Sequence, residues 1–129
     1  MIVVDASVVL DMLIRAPGVE TLEERLFSER TWNAPHLVDL EVAQVLRRWT
    51  LGGRIGAGRA RRALELLDDL PLHRWSHRTL LPRIWSLREN ATAYDAAYLA
   101  LAEGLECDLV TRDERLARVP GHRASVETI

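Results

Sequence analysis

The sequence predicts a three-layer α/β/α sandwich around a mainly parallel sheet. Short apolar runs, Ile2-Val3-Val4 and Leu109-Val110, read as buried strands. Between them lie longer segments whose apolar residues recur at helical spacing. The chain has 129 residues and no internal repeat, low-complexity stretch or linker, so one domain over 1–129 is expected.

In chain order, residues 1–5 are expected to form a strand entering a turn, with Ser7 as N-cap of a helix over Val8–Arg15. Pro17-Gly18 stops that helix, and a polar-faced one is expected over Val19–Glu29. Trp32–Ala34 reads as a strand, with Pro35 leading into the next helix. That helix, Leu37–Leu51, carries Val38, Val42, Val45, Leu46 and Trp49 at helical spacing, and Gly52-Gly53 ends it. A fourth helix over Ala57–Leu70 carries Ala60, Ala63, Leu64 and Leu67. Leu72–Trp75 reads as a third strand and Thr79–Glu89 as a helix that accommodates Pro82 in its first turn. An alanine-rich helix over Ala93–Glu103 is expected to end at Gly104. Cys107–Val110 then reads as a buried strand, Glu114–Arg118 as a short helix and Ser125–Val126 as an edge strand.

Composition narrows the functional classes. Apolar residues make up 48% and charged residues 28%, the balance of a globular domain and not of a disordered one. No basic region precedes the apolar start, and Asp5 and Asp11 interrupt it, so neither a signal peptide nor a membrane span fits. Cys107 is the single cysteine, which leaves no internal disulfide and makes the cytoplasm the expected location. All 17 basic residues are arginine, most simply a codon bias, yet arginine also suits bidentate contacts to phosphate. With a net charge of −2, any nucleic-acid binding must come from local patches or metal ions.

The acids carry the chemistry. Ligands of open parallel sheets bind beyond the carboxyl ends of the strands. Asp5 follows Ile2-Val3-Val4 and Asp113 follows Leu109-Val110-Thr111, so both stand at such ends. Each also has a structural use: Asp5 suits a turn or cap, and Asp113 the first turn of a helix opened by the capping box Thr111-x-x-Glu114. Glu41, neighboured by Leu37, Val38 and Val45, borders an apolar helix face where a carboxylate needs a partner, either Arg48 or a metal. Asp95 is the only charge in Ala91–Ala102, although Thr92-x-x-Asp95 has the form of a capping box. Asp11 is expected to pair with Arg15.

Two carboxylates ~5 Å apart repel by roughly 3 kcal/mol at an effective dielectric of 20. Four that converge must therefore protonate in part or recruit a divalent cation. An all-oxygen set favours Mg²⁺ or Mn²⁺ over zinc, because His36, His73, His77 and His122 are scattered without ligand spacing. No nucleophile elbow and no glycine-rich phosphate loop is present.

Four segments make a recognisable set: Ile2-Val3-Val4-Asp5-Ala6-Ser7, Leu40-Glu41-Val42-Ala43, Thr92-Ala93-Tyr94-Asp95-Ala96-Ala97-Tyr98 and Leu109-Val110-Thr111-Arg112-Asp113. In order and spacing, from residue 1 to about 118, they resemble the PIN-domain ribonucleases. More narrowly, they are similar to the VapC toxins of bacterial toxin–antitoxin pairs. The resemblance implies a PIN-like parallel-sheet fold and an Mg²⁺-dependent endoribonuclease that hydrolyses RNA phosphodiester bonds. It makes Asp5, Glu41, Asp95 and Asp113 the acidic catalytic and metal-binding quartet, with Ser7 and Thr111 as supporting hydroxyls. It implies that Asp5 and Asp95 mainly hold the metal, that Asp113 completes a second site, and that Glu41 holds a water or acts as base. Implied partners are an RNA substrate, a cognate VapB-type antitoxin and a second copy of the chain in a homodimer. One departure is Leu116, where some relatives carry a further acid.

Arg47, Arg48, Arg54, Arg59, Arg61 and Arg62 cluster on the second helical hairpin, as a solvated face or as a contact for RNA or antitoxin. Trp32, Trp49, Trp75 and Trp85 are expected in the core or at an interface. Two other readings compete: a non-catalytic module that binds RNA or protein, and another Mg²⁺-dependent phosphohydrolase. The absence of an Asp-x-Asp pair after the first strand disfavours the second.

Overall fold

In the computed structural model, which describes residues 1–129, the strands are β1 (Ile2–Val4), β2 (Trp32–Pro35), β3 (Leu72–Trp75), β4 (Asp108–Thr111) and β5 (Val126–Thr128). All four pairings are parallel, in the order β3-β2-β1-β4-β5. The chain builds outward from β1 to β2 and β3, then returns to the other side of β1 with β4 and β5. The order thus reverses between β1 and β4, and their carboxyl ends form the crevice where ligands of such sheets bind.

The helices are α1 (Ala6–Ile14), α2 (Val19–Phe27), α3 (Leu37–Leu51), α4 (Ala57–Asp69), α5 (Leu81–Ser86), α6 (Ala93–Leu105) and α7 (Glu114–Ala117). Helix α6 packs against β1, β2 and β4, with α5 beside it, while α1, α3 and α4 pack against one another. The result is the expected α/β sandwich. In α6, Ala96, Ala97, Tyr98, Leu99, Ala100, Leu101 and Ala102 are all buried, and the alanines let it approach the sheet closely.

One cluster of 32 apolar residues forms the core, including Ile2, Val3 and Val4 of β1 and Leu109 and Val110 of β4. Polar groups inside it are matched. Asn33 donates its amide to the Ile2 carbonyl at 3.0 Å and accepts from Trp75 Nε1 at 2.9 Å, tying β1, β2 and β3 together. Trp32 Nε1 donates to the Leu26 carbonyl at 2.8 Å, which anchors α2 to β2. Leu116 is buried and belongs to this core. Trp85, by contrast, is 68% exposed and not a core residue. No helix is long and apolar enough to cross a membrane.

Several local expectations are corrected. Helix α1 begins at Ala6, two residues before the expected start, because Asp5 and not Ser7 is its N-cap. The Asp5 carboxylate accepts two backbone N–H groups, which a single hydroxyl serves less well. The helix expected over Thr79–Glu89 is a 3₁₀ turn, Arg78–Leu80, followed by the short α5. Pro82 lacks the N–H that a continuous ladder through this region would need. Gly104 stays helical, and α6 ends at Leu105, with Glu106 as a C-cap that takes the left-handed conformation itself (φ 52°). Asp11 pairs with Arg112 at 2.7 Å and not with Arg15, which reaches Glu23 at 2.8 Å instead.

Candidate active site

Asp5, Glu41, Asp95 and Asp113 line one cleft of about 540 Å³ at the switch point of the sheet. They arrive from four elements: the end of β1, the first half of α3, the first turn of α6 and the turn after β4. Ser7, Gln44, Arg48, Tyr98 and Arg115 share the lining.

Asp5 is the most constrained of the four and is only 6% exposed. Its Oδ1 accepts from the Ser7 N–H at 3.0 Å, the Ser7 hydroxyl at 2.6 Å and the Val8 N–H at 3.2 Å. Its Oδ2 accepts from the Thr111 hydroxyl. Both hydroxyls are oriented in turn, since Ser7 Oγ accepts from the Arg112 N–H at 3.0 Å and Thr111 Oγ1 from the Asp113 N–H at 2.9 Å. With one lone pair engaged by a backbone N–H, each hydroxyl donates its proton to Asp5. Burial raises the Asp5 pKa, and the hydrogen bonds from Ser7, Thr111 and Val8 oppose that rise.

Glu41 does not pair with Arg48. Its Oε2 accepts instead from the Tyr98 hydroxyl at 2.5 Å. Burial raises its pKa, the Tyr98 bond pulls it down, and the charges of Asp5 and Asp95 push it up again. Tyr98 is displaced upward in turn, first by burial and then by the Glu41 charge, so its hydroxyl keeps its proton. Sequence reasoning gave Tyr98 no role. Its signal was present: a phenol three residues from Asp95 on a helix that buries its face needs a hydrogen-bond partner.

For Asp95, one arm of the expected capping box forms, with the Thr92 hydroxyl accepting from its N–H at 3.1 Å. Burial first, and the Asp113 charge second, raise its pKa against the pull of Thr92 and Arg115. Around Asp113 the expected Thr111-x-x-Glu114 box is absent, because Asp113 itself caps α7 by accepting from the Arg115 N–H at 2.9 Å. The Arg115 guanidinium also grips it, Nη2 to Oδ2 at 2.6 Å and Nε to Oδ1 at 3.0 Å, and holds its pKa low. Arg115 was missed by sequence reasoning, since a partner only two residues away follows from the tight turn and not from helical spacing.

The site brings three acids with raised pKa values into one cleft with a single guanidinium bound to a fourth. As positioned, no three acidic, histidine or cysteine side chains form a ready metal-ligand cluster. Asp5 is engaged by hydroxyls and backbone, and Asp113 by Arg115. The donor chemistry nonetheless fits a hard divalent cation: every donor is an oxygen, and the excess negative charge lacks a resident counter-ion. On the hairpin, the six arginines are exposed, and only Arg48 borders the cleft.

The PIN domain family model matches residues 2–122. The chain is 44% identical over 117 residues to Ribonuclease VapC9 of Mycobacterium tuberculosis, covering 91% of this chain and 89% of that protein. It is 41% identical over 128 residues to Ribonuclease VapC1 of the same organism, covering 98% and 96%. Among solved structures, VapBC2 from Rickettsia felis, bound to a DNA fragment from its promoter, matches with a TM-score of 0.72 at 13% identity, covering 100% of this chain and 99% of that one.

A stability prediction follows from the raised carboxyls. A carboxyl whose folded pKa lies above its unfolded value stabilises the fold below the unfolded pKa, and that contribution is lost as pH rises through the folded pKa. For Asp95 the unfolded reference is 3.8 and the folded value is higher. In EDTA at neutral pH, Asp95→Asn should therefore raise Tm, by on the order of 2 °C after solvent screening. The gain should shrink toward pH 4. Thermal melts across pH check this, and a lower Tm for the variant in EDTA would contradict it.

Proposed function

The chain belongs to the PIN domain family, and on that premise we propose that its four-carboxylate cleft hydrolyses RNA phosphodiester bonds with a divalent cation, Mg²⁺ or Mn²⁺. It is an endoribonuclease of the VapC kind, the toxin of a VapBC-type toxin–antitoxin pair. A cognate VapB-type antitoxin is the partner this role requires. The arrival of Asp5, Glu41, Asp95 and Asp113 from four separate elements in one cleft is the observation that carries the reading.

Asp5 and Asp95 would hold the ion, with Asp113 and Glu41 beside them. A divalent cation supplies Lewis-acid polarisation of the scissile phosphate and activation of water. Asp5 contributes a preoriented negative charge, fixed by hydroxyl and backbone donors before substrate arrives. Glu41 is suited to take a proton from the attacking water. Its pKa is raised by burial, which favours proton uptake, and Tyr98 holds Oε2 while Oε1 has no hydrogen-bond partner. Arg115, whose Nε and Nη2 hold Asp113, keeps Nη1 as a donor at the cleft wall where phosphate charge would accumulate.

Asp5→Asn and Asp95→Asn should each lower Mg²⁺-dependent RNA cleavage by about 100-fold or more while leaving the circular-dichroism spectrum unchanged. Asparagine keeps an oxygen to cap α1, so loss of activity at position 5 reports charge and not unfolding. EDTA should silence the wild type. Full activity in either variant, or cleavage that persists in EDTA, would contradict the assignment and favour the non-catalytic module.

A homodimer is the assembly we propose. Leu40, Leu81, Trp85 and Tyr94 are exposed, at 75%, 51%, 68% and 65%. Leu81 and Tyr94 border a small apolar cavity with Leu37 and Ile84, and Leu40 and Tyr94 also edge the catalytic cleft. Leu40, Tyr94 and Leu81, exposed around that cavity and the adjoining cleft edge, make an apolar surface of the kind that marks a protein interface. Leu81→Glu should convert the dimer to monomer in sedimentation velocity, and a wild type that sediments as a monomer would overturn the proposal.

A further inference from the structure

The catalytic cleft does not end at Asp95. A second depression, of about 610 Å³, opens from it, and Asp95 and Arg115 line both. Arg88, Arg118, Asn90 and Thr92 supply most of its polar wall.

Two of the three guanidiniums there, Arg88 and Arg118, are held loosely. Arg88 has no carboxylate against it; it lies over the Trp85 ring at 5.0 Å and donates Nη1 to the Trp85 carbonyl at 3.1 Å. The ring and the carbonyl hold the group in place and leave the rest of its donor fork unused. Arg118 pairs with Glu114 at 3.0 Å, but both side chains are well exposed, so the pair is screened and easily exchanged for another anion. Arg115 joins this basin to the cleft through Asp113. Two acids also face the basin, Glu89 and Asp95, and Asp95 belongs to the proposed metal site. A planar donor fork next to a phosphodiester cleft matches a backbone phosphate in both charge and geometry.

We propose that this basin is a second phosphate subsite, in which Arg88 and Arg118 seat the RNA backbone phosphate adjacent to the scissile one and Arg115 stands between the two. The proposal rests on the ribonuclease reading above. It gives the cleft a direction, because substrate bound in it extends over the amino-terminal end of α6 and past α7.

The test is binding of a fluorescein-labelled, mixed-sequence single-stranded RNA, followed by anisotropy in the cleavage-silent Asp5→Asn background with Mg²⁺. Arg88→Ala and Arg118→Ala should each weaken binding by about 3- to 10-fold, and each should flatten the log K against log salt slope by about 0.7. In the otherwise wild-type chain the same substitutions should raise KM and leave kcat within about twofold, since these residues bind away from the reacting atoms. Arg30→Ala, which removes an exposed arginine remote from the basin, should change neither the affinity nor the slope. Unchanged binding in the Arg88/Arg118 double variant would overturn the subsite, as would an equal loss in Arg30→Ala. If the wild type neither binds nor cleaves RNA, the ribonuclease reading falls and the subsite falls with it.

Discussion

The site depends on one buried carboxylate. Asp5 closes β1, caps α1 and receives the Thr111 hydroxyl from β4, so three elements meet on two oxygen atoms. β1 is the central strand, and its apolar run delivers Asp5 to the point where the sheet order reverses. The bonds to Ser7 and Thr111 are relayed outward to the Arg112 and Asp113 N–H groups. The loop that carries Asp113 is therefore positioned by the same network that orients Asp5. Moving Asp5 would disturb the helix start, the β4 end and the fourth acid together.

Around that anchor the protein holds charges that oppose folding. Burial raises the pKa values of Asp5, Glu41 and Asp95, and neighbouring carboxylates add to the rise at Glu41 and Asp95, although hydrogen bonds to Asp5 and Glu41 relieve part of the strain. The core of apolar side chains below the cleft supports this unfavourable electrostatics, as is common where function and stability pull apart. Arg115 pairs with Asp113 alone, and its charge only partly offsets the rise at Asp95. The imbalance is what makes a divalent cation the natural complement to the cleft, and it explains how a chain of net charge −2 is suited to a polyanionic substrate. The metal would neutralise the centre, and local arginines would serve the backbone on either side.

Much of this was legible in the sequence where the physics is local. Unbroken apolar runs marked β1 and β4, and helical spacing marked α3 with the same limits found in the structure. The four acids were visible as strand-end or apolar-face carboxylates, and resemblance grouped them. What escaped depends on tertiary partners. Glu41 found Tyr98 across 57 residues where sequence offered only Arg48 nearby, and Asp11 found Arg112 across 101 residues in place of its helical neighbour Arg15. The N-cap was misplaced from Asp5 to Ser7 because both residue types cap well, and only the packed structure shows the Ser7 hydroxyl engaged elsewhere. Pro82 does stand in a first turn, but that helix starts only at Leu81, after a 3₁₀ turn, and stops at Ser86.

The central claim is that the four acids form a metal centre built on Asp5. Anomalous diffraction from crystals soaked in Mn²⁺ tests it most directly, because it locates the ion without relying on activity. A peak within coordination distance of Asp5 and Asp95 carboxylate oxygens, lost in Asp5→Asn crystals, is the result the account predicts. A peak elsewhere on the surface, or none in this cleft with Mn²⁺ in excess, would contradict it.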